Sequence, residues 1–250
     1  MKHLFYIISF GIISLALVAC GGSSGKNKQA QTPAHKACPS FQSDSAFRYI
    51  EEQCNFGPRL LGTPEADKCA EWIKSQFERM GCAVAEQKAQ VSTWDGTKMP
   101  CRNIIASYNT SATSRIMLCA HWDTRPWADN DPNPDNHKTP VLGANDGASG
   151  VAVMIEVARL LQSQPLQGVG VDFICFDAED MGTPEWAEPL TDDQDTWCLG
   201  SKVWAEQAAA NGYRPKYGIL LDMVGGRGAT FSHEQVSMYF ASNIVKKVWN

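Results

Sequence analysis

Apolar and polar residues alternate along the chain with two periods, one typical of helices and one typical of strands. Helical spacing of apolar residues predicts helices over residues 43–56, 64–80, 147–161, 199–211 and 232–250. Short, nearly continuous apolar runs predict strands over residues 82–94, 103–108, 115–121, 170–177 and 217–224. Such strands between helices indicate a sheet whose central strands are parallel and covered on both faces. The pattern therefore predicts an α/β fold, a three-layer α/β/α domain with a mixed, centrally parallel sheet.

Three details of this pattern make sharper predictions. In the first helix Phe47, Ile50 and Cys54 share one face, which we expect to pack inward. Asp95-Gly96, between the first two strand patterns, predicts the turn of a hairpin. The apolar run at residues 217–224 predicts a further buried strand.

The N-terminal residues are typical of an export signal. A basic start precedes the apolar run Leu4–Val18, which is too short to span a bilayer comfortably. Small residues then lead into Cys20, as in a bacterial lipobox, where this cysteine would be lipidated; the alternative is an ordinary secretory peptide cleaved nearby. We expect a signal peptide at residues 1–20, a flexible tether at 21–40 and a catalytic domain at 41–250. The protein is then an exported lipoprotein, anchored to a membrane and facing the periplasm.

Charge and cysteine content argue against nucleic-acid partners and cysteine-based zinc sites. The 250 residues include 22 Lys and Arg against 27 Asp and Glu, a net charge of −5, so nucleic acid is not expected as a partner. Of the 9 cysteines, Cys119 and Cys175 lie within apolar strand patterns and are expected to be buried small hydrophobes. No pair has the spacing of a zinc knuckle, and the sequence leaves disulfide pairing open.

Residues able to bind a metal follow each predicted core strand. Because the carboxyl ends of parallel strands meet at one edge of the sheet, these side chains should lie together. Any one carboxylate there could be a turn former or a helix cap, but their joint placement indicates a metal site. An imidazole with carboxylates and without thiolates favours zinc. The residues are His121 and Asp123, then Asp177, Glu179 and Asp180, then Asp222, together with Asp146 at the start of a helix.

The dipeptide Glu179-Asp180 offers two carboxylates that can have different roles. Adjacent side chains diverge, so one carboxylate can hold a metal while the other acts as a general base. Partial burial would raise the pKa of such a base toward the range useful for proton transfer. Other chemistries lack their motifs: Gly143–Gly150 has no following Lys-Ser/Thr, and no GxSxG segment is present.

Two sets of segments resemble a known family. The segments AHWD, LGANDGASG, FDAED and LLDMVGG, in the region 120–226, resemble motifs of zinc aminopeptidase-fold proteins. The segments FGPRLLGTPE, WDTRPWADNDP and WCLGS, which begin at Phe56, Trp122 and Trp197, resemble bacterial glutaminyl-peptide cyclotransferases of the zinc-dependent animal type. The resemblance covers the chain from about Ser43 to its end.

The resemblance implies a set of zinc ligands and an acid/base. Asp146 and Asp180 would bind one zinc ion, with a third ligand, a histidine, expected beyond Asn250. Asp180 stands where many relatives have glutamate, so a shorter side chain must reach the metal. Glu179 would be the acid/base. By the same resemblance, the chain lacks the family's C-terminal part.

The implied reaction is intramolecular. The N-terminal amine of a glutaminyl peptide attacks its own side-chain amide, which gives pyroglutamate and ammonia, and Asp222 hydrogen-bonds the reacting groups. Expected partners are therefore peptides or proteins with N-terminal glutamine. Trp122, Trp127 and Trp186 are candidates for the pocket wall.

Two alternatives remain open at the level of the sequence. In two-zinc aminopeptidases the positions of His121 and Asp222 hold a second metal, so the first alternative is an exopeptidase of the same fold. The second alternative is a non-catalytic peptide-binding lipoprotein. An intact Glu179 argues against the latter.

Overall fold

Five α-helices and five strands make up the part of the chain that the computed structural model describes, residues 38–188, 190 and 195–249. The helices are α1 Ser43–Asn55, α2 Pro64–Arg79, α3 Ala148–Ser163, α4 Leu199–Ala210 and α5 Gln235–Trp249. The strands are β1 Ala83–Ser92, β2 Lys98–Tyr108, β3 Ser114–His121, β4 Val169–Phe176 and β5 Gly218–Leu220. The chain divides into two units after Cys38, and all these elements belong to the second. Cys20 and the leader lie outside the described residues, so their assignment stays a prediction.

The strands form one mixed sheet in the order β1-β2-β4-β3-β5. β3 pairs in parallel with β4 and with β5, whereas β1–β2 and β2–β4 are antiparallel. The β1–β2 hairpin turns at Gly96, whose φ of +80° suits glycine, as the Asp95-Gly96 signal predicts. The predicted mixed, centrally parallel sheet is confirmed.

Helices cover both faces of this sheet. On one face, apolar residues of α2 and α3 pack with Leu118 and Ala120 of β3 in the main core. On the other face, Cys119 packs with the strand β4 and with Trp204 of α4, whose ring lies 5.7 Å from that of Phe176. Alternate residues of β3 therefore face opposite layers, as strand geometry requires. The three-layer α/β/α architecture is confirmed.

Helix α1 packs through a different face from the one predicted. Phe47 is 61% exposed, whereas Ala46 and Gln53 are buried. The reason is that α1 packs on α3 and not on the sheet, and its buried contacts are partly polar. The Gln53 side chain donates to the carbonyl of Ala148 at 3.1 Å, at the start of α3. The expectation that Phe47 packs inward is wrong.

The last predicted strand is shorter and more exposed than expected. β5 has three residues and lies at the sheet edge, where Leu220 is 63% exposed. Beyond it, the main-chain N–H of Val224 donates to Ser149 Oγ at 3.0 Å, and that of Gly225 donates to Asn145 Oδ1 at 2.8 Å. These bonds draw the chain toward the loop before α3 and end the strand. The prediction of a buried strand over residues 217–224 is therefore wrong.

The eight cysteines within the described residues are free thiols. Cys119 is 5% exposed and Cys175 is fully buried, which confirms that both act as small core residues. Within the same part of the chain, no helix combines the length and the apolar character needed to cross a bilayer.

A buried ion pair ties the central strands together away from the candidate site. The Asp172 carboxylate on β4 accepts hydrogen bonds from Arg115 Nε at 2.7 Å, Ser107 Oγ at 2.7 Å and Tyr213 Oη at 2.8 Å. The Arg115 side chain crosses β4 where Gly170 leaves room, since a Cβ there would lie 2.2 Å from Nη1. Burial raises the pKa of Asp172, but its hydrogen-bond donors outweigh burial and lower it overall.

Asp172→Asn is expected to lower the free energy of unfolding by about 2–3 kcal/mol at neutral pH, because it removes charge-assisted hydrogen bonds from a buried site. A depressed folded-state pKa gives stability above the unfolded pKa of about 3.9, and that stability is lost as the pH falls through the folded value. The difference between wild type and variant in urea unfolding should therefore shrink below pH ~4. Glu52→Gln, the same charge change on the exposed face of α1, serves as control. A pH-independent difference would contradict the assignment.

Candidate active site

The predicted ligand-type residues meet at the carboxyl edge of the parallel strands. His121 ends β3, Asp222 follows β5 by two residues, and Asp146 precedes α3. The loop at Asp146 approaches the β3 exit closely at Gly147, whose φ is +93° and whose Cβ, if present, would lie 2.7 Å from the carbonyl oxygen of Asp123. Glycine is required there for both reasons.

His121 lies at the centre of this cluster and is 3% exposed. Its Nε2 atom lies 2.8 Å from Asp146 Oδ1 and 3.5 Å from Asp222 Oδ1, and its Nδ1 atom lies 3.4 Å from Asp123 Oδ1. Burial lowers the pKa of His121, but the carboxylates around it outweigh burial and raise the pKa overall. The hydrogen bond from His121 is the main cause that lowers the pKa of Asp222.

The donor set fits a divalent metal. Ligand atoms of His121, Asp146 and Asp222 all lie within 4.8 Å of one another. Glu179 Oε2 lies 4.0 Å from His121 Nδ1, so further negative charge surrounds the same imidazole. The imidazole of His121 is buried, whereas the Asp146 and Asp222 side chains are 43% and 44% exposed. Imidazole with carboxylate oxygens is a ligand set suited to zinc. These residues could therefore hold a metal ion.

Asp123 fixes the loop that carries Glu179 and Asp180. Its side chain is fully buried, and its two oxygens accept the main-chain N–H groups of Glu179 and Asp180, each at 3.1 Å. The contact spans 56 and 57 residues of sequence. The sequence predicts Asp123 near the site but not this role, because the N–H groups that it accepts belong to a loop 56 and 57 residues away.

Asp180 lies at the edge of the cluster and is largely buried. Burial is the main cause that raises its pKa to about 7, and the charge of Asp146 is the next. Arg125 Nη1 lies 3.8 Å from Asp180 Oδ1, while the same guanidinium pairs with Asp129 and lies over the ring of Trp127. Asp146 thus contacts His121 directly and acts electrostatically on Asp180. The assignment of Asp146 and Asp180 as the zinc pair stays a prediction.

The Glu179 carboxylate lies between His121 and Cys198. Its Oε2 atom faces His121, and its Oε1 atom accepts a hydrogen bond from the Cys198 thiol at 3.3 Å. Burial is the main cause that raises the pKa of Glu179, and the positive charge of His121 opposes it. A carboxylate with a raised pKa near a site edge is suited to general acid–base chemistry. Cys198 was not singled out by sequence analysis, although it lies within the WCLGS segment.

Asp177 supports the site and does not join the cluster around His121. It is 4% exposed, and its carboxylate accepts the main-chain N–H groups of Arg102 at 2.7 Å and Ala178 at 2.9 Å. Burial and the charge of Asp123 raise its pKa. These contacts join the end of β4 to β2.

Trp122 and Trp186, two candidates for the pocket wall, differ in exposure. Trp122 is 2% exposed within the main core and donates to the carbonyl of Arg102 at 3.2 Å, so its assignment to the pocket wall is wrong. The cause is its position directly after β3, where the side chain points away from His121 into the core, as alternation along a strand requires. Trp186 is 45% exposed and packs edge-on against Trp127 at 5.9 Å. A pocket role for Trp186 stays a prediction.

Known proteins resemble this chain in sequence and in fold. Residues 103–250 match the sequence family described as peptidase family M28. The structure of Bacteroides thetaiotaomicron glutaminyl cyclase bound to N-acetylhistamine is 47% identical with a TM-score of 0.82, and the match covers 85% of this chain and 72% of that one. A Zn-dependent exopeptidase from Parabacteroides distasonis ATCC 8503 is 46% identical with a TM-score of 0.81, over 85% of this chain and 72% of that one.

A curated relative matches over a shorter span. The uncharacterized protein YfbL of Escherichia coli (strain K12) is 32% identical over 155 residues, which cover 62% of this chain and 43% of YfbL. The chain thus spans less than half the length of that relative. The family match covers more than half of the chain, and similar solved structures include both glutaminyl cyclases and zinc-dependent exopeptidases. The chain belongs to peptidase family M28.

Proposed function

We propose that the protein is a zinc-dependent glutaminyl-peptide cyclotransferase, which converts the N-terminal glutamine of peptides or proteins to pyroglutamate. The observation that carries this proposal is the position of Glu179, a partly exposed carboxylate with a raised pKa beside the His121 cluster. The 47% identity to a glutaminyl cyclase supports cyclisation as the reaction.

The metal would be held by Asp146 and Asp180, with one zinc ion per chain. A bound zinc ion supplies Lewis-acid polarisation of the substrate amide oxygen and stabilises the charge that develops there. His121 and Asp222 would then lie beside the substrate and the metal ligands without binding a second metal ion.

The residues of the chain perform the proton transfers. The substrate α-amine forms a bond to its own side-chain amide carbon, and the bond from that carbon to the amide nitrogen breaks. Glu179 accepts the proton released by the amine and returns it to the leaving nitrogen, which departs as ammonia. Asp222, whose pKa is lowered by His121 and whose side chain is 44% exposed, is available as an ionised hydrogen-bond acceptor for the amine. Because nucleophile and electrophile belong to one residue, positioning supplies much of the rate.

A two-zinc exopeptidase is the second candidate. It is favoured by the grouping of His121, Asp146 and Asp222, which offers three ligand atoms within 4.8 Å of one another. The 46% identity to a Zn-dependent exopeptidase supports it as well. In that reaction His121 and Asp222 would be metal ligands, and Glu179 would take a proton from water.

Products and metal content distinguish the two reactions. The protein, loaded with zinc, is incubated with a glutaminyl dipeptide, and the products are weighed by mass spectrometry. We expect a product lighter by one ammonia with the peptide bond intact, and about one zinc per chain. Free amino acids with about two zinc ions per chain would replace the cyclase by the exopeptidase. Removal of zinc by a chelator should abolish either reaction, and zinc should restore it.

A further inference from the structure

Two short segments are fastened to each other beside the acid/base. The main-chain N–H of Cys198 donates to the carbonyl of Glu179 at 2.8 Å, and that of Leu199 donates to the carbonyl of Ala178 at 2.9 Å. Ala178 and Cys198 both adopt left-handed backbone conformations, with φ of +53° and +56°. Such conformations are unfavourable for residues with a side chain and persist where surrounding contacts hold them.

The start of α4 lies unusually close to the end of β4. A Cβ at Gly200 would lie 2.0 Å from the carbonyl oxygen of Asp177 and 2.7 Å from Asn103 Oδ1. Asn103 is fully buried and donates to the carbonyl of Gly200 at 2.8 Å while accepting the N–H of Asp177 at 2.9 Å. The first turn of α4 is therefore fixed relative to the loop that carries Glu179.

This arrangement directs the Cys198 thiol at the acid/base. Sγ lies 3.3 Å from Glu179 Oε1, whereas the other carboxylate oxygen, Oε2, lies 4.0 Å from His121 Nδ1. We infer that Cys198 is a positioning residue, whose thiol holds one oxygen of Glu179 so that the other oxygen faces the reacting groups. This inference rests on the proposed function, in which Glu179 transfers the proton.

The thiol is suited to donating and not to nucleophilic attack. Burial, followed by the charge of Glu179, raises the pKa of Cys198 to about 12, so the sulfur keeps its proton at neutral pH. A glutamate side chain has three rotatable bonds, and a donor fixed to a helix start removes much of that freedom at little cost. The contact therefore orders the carboxylate before the substrate binds.

Substitutions at Cys198 separate a positioning role from a structural one. Cys198→Ala should lower kcat for the glutaminyl peptide by about 3–10-fold with little change in KM, because it removes a hydrogen bond to the reacting carboxylate and leaves substrate contacts intact. Cys198→Ser offers a hydroxyl donor at the same place and should recover most of that loss. Ser201→Ala is the matched control, because Ser201 Oγ donates to the carbonyl of Cys198 at 2.9 Å in the same helical turn without contacting Glu179. Its kcat should stay within about twofold of wild type.

A second measurement tests the contact without turnover. Alkylation of Cys198 by iodoacetamide is followed by peptide mass spectrometry, with exposed Cys38 as the internal reference. Glu179→Gln removes the charge that helps to keep the thiol protonated, so Cys198 should react roughly 3–10-fold faster relative to Cys38. Glu179→Gln that retains turnover would overturn the proposed function. If Glu179→Gln is inactive but Cys198→Ala turns over like wild type, or if the alkylation ratio is unchanged, the inference on Cys198 fails alone.

Discussion

Glu179→Gln is expected to reduce kcat for N-terminal glutamine cyclisation by about 10²–10⁴, the range that a general acid–base contributes. Glutamine has nearly the same shape as glutamate, and its side-chain oxygen can still accept the hydrogen bond that the Cys198 thiol now makes at 3.3 Å. It cannot accept the amine proton, because a neutral amide is a very weak base. The loss should therefore appear in kcat, with a smaller change in KM.

The control for this prediction is Glu185→Gln, which makes the same charge change at an exposed position six residues away. Ammonia release gives kcat, elemental analysis gives the zinc content, and thermal unfolding shows whether the fold is intact. We expect both variants to keep zinc and thermal stability and only Glu179→Gln to lose turnover. A Glu179→Gln protein with kcat within about threefold of wild type would remove Glu179 from the proton-transfer step.

The meeting of the site residues could be predicted because it follows from sheet topology. Each of the parallel strands β3, β4 and β5 ends at the same edge, so residues just beyond them must converge whatever their separation in sequence. His121 and Asp222 are brought together in this way, and Asp146 joins them from the loop before α3. The identity of the metal-binding pair does not follow from topology, because several carboxylates at one edge can exchange roles.

The wrong predictions for Phe47 and Trp122 have a different cause. Periodicity shows which face of an element is apolar, but not which neighbour that face meets. In α1 the neighbour is α3, and the fully buried Gln53 donates to the carbonyl of Ala148, the first residue of α3, so Phe47 faces outward. Trp122 is predicted in the pocket wall, but it directly follows His121, and consecutive side chains at a strand end point in opposite directions.

The roles of Asp123 and Cys198 depend on contacts between chain segments that no local pattern encodes. Asp123 accepts N–H groups of the Glu179 loop from 56 and 57 residues away, and the Cys198 thiol reaches Glu179 across 19 residues. A motif can indicate that such residues lie near the site, but their hydrogen-bond partners depend on how two loops pack together. The resemblance to a family identifies the segments, and the structure supplies the partners.

The second large effect is expected at Arg59, whose side chain holds together two segments that carry site residues. Its guanidinium is fully buried and donates to the carbonyls of Trp122 at 3.2 Å, Gly143 at 2.6 Å and, through Nη1, Leu142. These carbonyls belong to the exit of β3 and to the loop that leads to Asp146. Arg59 thus joins the segment that carries His121 to the loop that carries Asp146.

Arg59→Met should lower the free energy of unfolding by about 3–5 kcal/mol. Methionine fills a similar volume, but it leaves these carbonyls without a donor and removes a buried cation near Asp123. The measurement is urea unfolding, with Arg48→Met as the control on the exposed face of α1, where a change within about 0.5 kcal/mol is expected. Arg59→Lys should recover only part of the loss, since an ammonium is a compact donor group, whereas the planar guanidinium reaches three carbonyls. Because the loop before Asp146 loses its support, zinc affinity should fall together with stability in Arg59→Met and stay unchanged in Arg48→Met. A destabilisation below about 1 kcal/mol would mean that water or a rearranged loop satisfies these carbonyls, and that Arg59 does not hold the site together.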